Sequence, residues 1–542
     1  MARARISKPK VRSGCFTCKS RRVKCDEAKP VCLRCIRAGR ECAGYPDSLS
    51  YRLQVAPAND SISTYNIPFK VPGSQADRQL LHYYCSQVAL SLASYSDPSL
   101  WTELILQRCH HQPVVRNALV ALSSLHKDFQ CEAPPVVDEL KRAHRLVASP
   151  ASLTMIAKSH RQLARYLSRP DASADVALIC SVIYFICEAL LGDSQQAIWH
   201  LDRGLVLLKR SQLSGNFDAT SSDDPLVPRL TSLFEQLDCQ ACTFDDQRAP
   251  ILVLSPPPEL NDRASIVPEQ ILDLGHAELI LIKLQNRVFH HLVSSVIFKG
   301  KPLKDLPQSL IQERLLLVAD LQHYGDLLDV FAEWVGYSTE SPPSHSGGFD
   351  ERSRQQWKRY LLLRINYHTF YHLIKDCSMD FSLNTGVPSA PTSEMIANIK
   401  SDLEMDLKIA SDAVSWILPR TTTPQRTYTL SSHLIAVIYF VGAKTTSATT
   451  RHKAFELLAH PSLSHSRDGL WDAQTASFFL TKMTRKIRRG PTLISLTTSG
   501  MQSKYDESSV QHPDQLPIAN CKGWSINLAL SIRRSRRCPR PD

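Results

Sequence analysis

The chain has 542 residues, 43% of them hydrophobic and 21% charged. That balance is near the average for soluble globular chains and excludes a wholly disordered protein. The formal net charge is +12, and residues 1–45 alone hold 13 Lys and Arg against three acids, so all but +2 of the excess lies in the first twelfth of the chain. Such an asymmetry predicts a polyanionic partner for that end.

The amino terminus is basic and no apolar stretch follows it, so no secretory signal is expected. The best candidate for a membrane span, Val176 to Cys187, is 12 residues long and contains Ser181, which predicts a buried helix and no membrane partner. The 16 cysteines are then expected in a reducing compartment, as thiols or metal ligands.

In chain order, residues 1–13 form a basic arm suited to nuclear import or to tracking a nucleic-acid groove. Six cysteines crowd residues 14–45, and residues 46–73, with Pro46, Pro57, Pro68 and Pro72, form a linker. Helical patterning begins at Ser74, whose spacing to Asp77 predicts a capping box. Leu81, Tyr84, Cys85, Val88 and Leu92 then share one helical face, and Val115, Ala118, Leu122 and Leu125 repeat the pattern. Further helices are expected near 153–168, 174–191, 195–210, 227–241, 268–299, 308–334, 354–376, 394–417, 428–444 and 470–487. Strand alternation is scarce, so residues 74–490 are expected to be all-helical. Residues 491–542 lack periodicity and are expected to be a disordered tail.

The cysteines follow the pattern Cys15-x2-Cys18-x6-Cys25-x6-Cys32-x2-Cys35-x6-Cys42, two copies of C-x2-C-x6-C in tandem. Zinc takes four tetrahedral ligands, and closed thiolate sites are structural. Six thiolates give two ions four ligands each only if two of them are shared. The repeat makes the leading cysteine of each half, Cys15 and Cys32, the expected bridges. One Zn2+ would take Cys15, Cys18, Cys25 and Cys32, and the other Cys15, Cys32, Cys35 and Cys42. No position remains for water, so the metals would not be Lewis-acid catalysts. So small a module has almost no apolar core, and metal binding should supply its folding free energy.

The run GCFTCKSRRVKCDEAKPVCLRCIRAGRECAGYP resembles the fungal Zn2Cys6 binuclear-cluster DNA-binding domain. The resemblance implies a short helix after the first cysteine of each half, a loop proline at Pro30, and a basic run appearing here as Lys19, Arg21, Arg22 and Lys24. By that match, Arg21 and Arg22 stand where the family reaches base edges, typically in a CGG triplet; an arginine fork can bond guanine O6 and N7 together. Arg22 stands where the family commonly has lysine. Lys19, Lys24, Arg12 and Arg34 are expected on phosphates. Pieces of the body, namely QLLHYY, WTELILQRCHHQPVVRNALVALSSLH, AIWHLDRGLVLL, VIYFVGAK and RDGLWDA, resemble the fungus-specific transcription factor region, which is taken as regulatory. The combined expectation is a nuclear, zinc-dependent, sequence-specific regulator of RNA polymerase II transcription: a small zinc-cluster module followed by a large all-α regulatory domain. Its partners would be double-stranded DNA and the transcription machinery or co-regulators.

Four rivals stand beside it: a protein-docking zinc adaptor without base-specific DNA binding, a metal store, a four-cysteine site with two spare thiols, and a disulfide framework. Residues 46–75 show no sustained heptads, so a coiled-coil dimer there is not expected; a monomer, or a homodimer through the helical body, is. Cys239-x2-Cys242 and the His368/His372 pair are expected to be core residues. No residue set reads as catalytic.

Overall fold

The computed structural model describes residues 14–45, 72–93, 98–131, 146–213, 225–245, 248–254, 266–298, 306–337, 351–376, 404–414 (without 406 and 413), 426–430, 433–445 and 447–488. The basic arm with Arg12, nearly all of the linker, and the tail from 491 lie outside the described residues. The chain divides into two units, Met1–Phe69 and Lys70–Asp542.

The first unit contains two one-turn helices, α1 (Phe16–Ser20) and α2 (Leu33–Arg37). Its core is sulfur: Cys15, Cys18, Cys32 and Cys35 are fully buried, with Val23, Cys25, Cys42 and Tyr45 packed against them. The loop joining the halves has a cis peptide at Lys29–Pro30.

The second unit is helical, as expected. It opens with α3 (Gln75–Tyr83), where Asp77 N–H donates to Ser74 Oγ at 3.1 Å and Ser74 N–H to Asp77 Oδ2 at 2.9 Å. The capping box is therefore complete. A π-helical turn (Tyr84–Val88) carries the chain into α4 (Ala89–Leu92), and another (Leu100–Leu104) into α5 (Ile105–His111). There follow α6 (Pro113–Cys131), α7 (Pro150–Leu167), α8 (Ala174–Leu191), α9 (Ser194–Leu213) and α10 (Leu226–Phe244). Ser149 caps α7 ahead of Pro150, whose missing N–H costs nothing in a first turn.

Helix α8 is the centre of the body. Over 18 residues its mean hydropathy is 2.1, long and apolar enough to cross a membrane, but 78% of it is buried inside the protein. Helix α9 lies along it, and Gly204 makes the close approach possible: a Cβ there would sit 2.4 Å from the Phe234 ring and from Ser181 Oγ. Asp238 on α10, fully buried, accepts from Arg248 Nη2 (2.9 Å) and from the Ile251 and Leu252 amides (2.7 and 2.8 Å), which ties the segment after α10 onto the core.

A three-helix group follows: α11 (Leu274–Ser295), α12 (Gln308–Val335) and α13 (Glu351–Asp376). Positions 407–412 are also helical; the other bounds expected for 394–417 lie among residues not described. The helix expected over 428–444 is divided. Tyr428–Thr429 form strand β1, and α14 (Leu434–Lys444) starts after His433, which takes φ 56°. Helix α15 (Ala448–Leu458), strands β2 (Arg467–Asp468) and β3 (Trp471–Asp472), and α16 (Ala473–Arg488) complete the unit. The helix expected over 470–487 therefore begins three residues late, because 471–472 pair with β2. β1 runs parallel to β2, and β2 antiparallel to β3.

The segment RDGLWDA, residues 467–473, locks the body's carboxy-terminal part onto α8. Arg467 Nη1 donates to the Ala189 and Leu190 carbonyls at 2.6 and 2.8 Å; the first also accepts from the Gly192 amide at 3.1 Å, so Arg467 reinforces the end of α8. Trp471, fully buried, donates its indole N–H to Thr243 Oγ1 (3.1 Å) and stacks edge-on against Phe244.

Candidate metal centre and nucleic-acid interface

The two halves of the small unit share one local design. Cys15 and Cys32 are the N-caps of α1 and α2, and their sulfurs accept from the Cys18 and Cys35 amides at 3.3 and 3.2 Å. Each therefore sits where a helix start offers N–H groups to a negative charge. The same two residues also donate. Cys15 N–H reaches Cys25 Sγ at 3.4 Å, and Cys32 N–H reaches Cys42 Sγ. All six sulfurs are thus drawn together by the duplicated backbone.

The sulfur geometry fits zinc. Sγ of Cys15 lies 3.7 Å from that of Cys32 and 3.8 Å from that of Cys35; Cys18 lies 3.7 and 3.8 Å from the same two. A tetrahedron of sulfurs about 2.3 Å from zinc has edges of about 3.8 Å. These four sulfurs are arranged to hold a metal ion, and Cys25 with Cys32 and Asp26 forms a second, adjoining group. The sequence led us to expect the quartet Cys15, Cys18, Cys25 and Cys32. Among the described residues the tightest one instead pairs the two C-x2-C motifs, because both first turns direct their second cysteine inward.

Burial pushes the Cys15 thiol up to about 12 and raises Cys18 and Cys32. The outer sulfurs go the other way. At Cys25 burial opposes ionisation, but the Cys15 and Glu27 amides and the Tyr45 hydroxyl outweigh it and lower the thiol to about 6. At Cys42 the Cys32 and Gly44 amides lower it. The Tyr45 hydroxyl also lies 2.6 Å from the Ala28 carbonyl, and Thr17 accepts from the Ala43 amide at 2.9 Å, so the last residues are laced back to the joining loop and to α1.

Lys19, Arg21, Arg22, Lys24 and Arg34 are all exposed, on α1, on the turn that follows it, and on α2. Arg37 and Arg40, which the spacing does not single out, are exposed as well. Arg12 lies outside the described residues. Arg22 is in the left-handed region, φ 54°, and ends α1: its amide donates to Lys19 O, and the Val23 amide to Cys18 O. The position that matches it in the second half is Gly39, φ 59°. The same register sets Arg21, Arg22, Val23 and Lys24 against Ala38, Gly39, Arg40 and Glu41, so one backbone is built twice, with three cations on the first turn and one on the second.

In the body, Cys239 and Cys242 are buried thiols raised well above their ordinary range by burial, an inert state. His372 is buried, and burial lowers His368 to about 3, in keeping with a core helix.

Comparison with known proteins agrees with this geometry. Residues 13–52 match the fungal Zn(2)-Cys(6) binuclear cluster domain, and residues 79–299 the fungal specific transcription factor domain. The chain is 27% identical over 263 residues to the aspercryptin biosynthesis cluster-specific transcription regulator of Emericella nidulans, covering 44% of this chain and 41% of that protein. It is 24% identical over 272 residues to an uncharacterized transcriptional regulatory protein of Schizosaccharomyces pombe, covering 46% of each. White-opaque regulator 2 of Candida albicans is 54% identical over 43 residues, 8% of this chain and 10% of that one. The chain thus spans less than half the length of the relatives it matches most broadly. No solved structure matches it.

Proposed function

We propose that this chain, a fungal transcription regulator of the Zn(2)-Cys(6) binuclear cluster family by the two domains it carries, is a nuclear, zinc-dependent protein that reads CGG-type triplets in double-stranded DNA and regulates RNA polymerase II transcription. Cys15, Cys18, Cys25, Cys32, Cys35 and Cys42 hold two Zn2+ ions, with Cys15 and Cys32 shared. In support, those two sulfurs are fully buried and lie 3.7 Å apart, each within reach of both C-x2-C partners. The metal's role is structural. It fixes α1 and α2 so that the turn after α1 offers a rigid cationic edge.

The observation that carries the DNA reading is the unequal repeat. On matching turns, Arg21, Arg22 and Lys24 stand against Ala38, Gly39 and Glu41, and Arg40 is the one cation of the second turn. Arginine forks on an exposed turn suit guanine O6 and N7, while Lys19, Lys24, Arg34 and Arg12 suit phosphates. One turn with three cations per module fits one triplet per chain, read by a monomer or by a dimer formed through the helical body.

A second reading, an adaptor whose zinc module docks on a protein, is favoured by the outer side of α2. Leu33 and Ile36 there are 49% and 57% exposed. Selection from random duplexes with the zinc-loaded chain separates the two. Enrichment of CGG-containing sites supports the DNA reading, and no enrichment with zinc in place supports the adaptor.

A further inference from the structure

Helix α12, the longest described, packs on α11 and α13. It turns Leu317, Leu321, Tyr324, Leu328 and Phe331 into that contact. Its other side is apolar as well. Leu315, Leu316, Val330 and Trp334 are 60%, 41%, 63% and 80% exposed, more large apolar side chains in the open than any other helix carries among the described residues. They are not scattered. At 3.6 residues per turn, Leu316, Ala319, His323, Val330 and Trp334, all exposed, fall within about 60° of one another, in a stripe about 27 Å long and about 140° round from the buried side.

Read backwards, the stripe matches itself. Laid antiparallel on a second copy, with the crossing point between residues 324 and 325, Leu316 meets the partner's Trp334, Ala319 the partner's Val330, and His323 the partner's Asp326. Each pair occurs twice, as a two-fold contact requires. A small side chain faces a large one at Ala319, and an imidazole N–H finds a carboxylate acceptor at His323. Of the other acids on the helix, Glu313, Asp320 and Asp329 are turned to His291, Arg287 and Arg364 within the chain, whereas Asp326 is exposed beside the stripe. A parallel pair would set Asp326 against the partner's Asp326 and His323 against the partner's His323, so the charges choose the antiparallel one.

We propose that the outward face of α12 is the interface of an antiparallel homodimer, with a second copy of this chain as its occupant. The self-matching order of apolar, small and charged side chains selects that occupant. A nucleic acid would gain nothing from the apolar stripe and would be repelled by Asp326 and Glu333, both exposed. An exposed Trp is also a residue type on which protein interfaces concentrate their binding energy. One helix from each partner makes a small contact, so the dimer should be reversible, with a Kd on the order of micromolar. The proposal deepens the dimeric form of the DNA reading above by naming its face. It rests on the helical body alone, so it stands whether or not the zinc module reads CGG.

The test is sedimentation velocity of the full zinc-loaded chain, without DNA, from about 1 to 100 µM. The wild type should pass from monomer to dimer over that range. Val330→Glu and Trp334→Ala should each raise the dissociation constant by about tenfold or more, with the thermal midpoint of dilute protein unchanged. Leu167→Glu on α7, an exposed leucine elsewhere, should leave the dimer intact. His323→Asp brings carboxylates together across the two-fold axis and should weaken the dimer; adding Asp326→His should restore it, which damage to the fold of one chain would not allow. A monomer at every concentration, a dimer indifferent to Val330→Glu and Trp334→Ala, or a double variant no better than His323→Asp overturns the proposal. With no DNA present, none of these outcomes touches the reading of CGG, which duplex selection tests separately.

Discussion

Replacing Arg22 by glycine should uncouple the stability of the zinc module from its reading of DNA. Arg22 occupies a left-handed backbone conformation, φ 54°, that its repeat partner fills with Gly39. A non-glycine residue pays about 1–2 kcal/mol to stay there. Glycine recovers that strain but brings about 0.5–1 kcal/mol of extra unfolded-state entropy. The net for Arg22→Gly is a gain of about 0.5–1 kcal/mol. Because metal binding and folding are one equilibrium in so small a unit, that gain should appear as zinc held about 2–5-fold more tightly in a chelator competition. The DNA side moves the other way. Losing a guanidinium fork from a guanine should cost about 1–3 kcal/mol of discrimination at one base pair, measured as the ratio of affinities for matched and single-mismatch duplexes. Arg22→Ala is the control: it loses the fork and keeps the left-handed strain, so it should hold zinc more weakly than Arg22→Gly. Weaker zinc binding in Arg22→Gly, or undiminished preference for the matched duplex, would refute the assignment of Arg22 as a residue kept in a costly conformation for its side chain.

Three further outcomes concern the second unit. Gly204→Ala should destabilise it by about 1–3 kcal/mol in denaturant melts, because the new methyl meets Phe234 and Ser181 at 2.4 Å. Arg467→Met should cost about 3 kcal/mol, since it removes a buried cation's bonds to the Ala189 and Leu190 carbonyls and its ion pair with Asp472 at 3.3 Å; a melt within experimental error of the wild type would dismiss that lock. Burial holds His126 and His433 near 4 and His368 near 3. All three pKa values are depressed in the folded state, so the unfolded chain takes up protons first. Their contribution is complete above about pH 6.5 and falls as pH drops toward 4, by about 2 kcal/mol for each histidine by pH 5. A melting temperature unchanged between pH 7.5 and pH 5 would contradict the buried, neutral state of these rings.

Features fixed by neighbours in sequence were legible in advance. The capping box of Ser74 and Asp77, the buried run through α8, and the inert thiols Cys239 and Cys242 each follow from spacing within a few residues. What escaped was set at a distance or by backbone conformation. Strands of two residues carry no alternation, and β1 pairs with residues 467–468, so the apolar run 428–444 reads as one helix until that partner is known. Arg467 serves carbonyls 277 and 278 positions earlier in the chain. The clustering of the six cysteines was legible from spacing alone, but the closer grouping of Cys18 with Cys35 was not, because it depends on the angle between α1 and α2. The matched transcription factor segment ends at residue 299, whereas α14 and the strands belong to the same buried core as α8 and α10. The helical body is therefore larger than its recognisable part.

The number of bound metal ions decides between a shared-sulfur pair and a single site. Native mass spectrometry of the chain under reducing conditions should find two zinc ions lost together on chelation, with helical content of the second unit retained. Cys25→Ser or Cys42→Ser should abolish the paired loading. A single bound zinc, unaffected by Cys25→Ser, would show that Cys15, Cys18, Cys32 and Cys35 close around one ion, and the shared-sulfur assignment would be wrong.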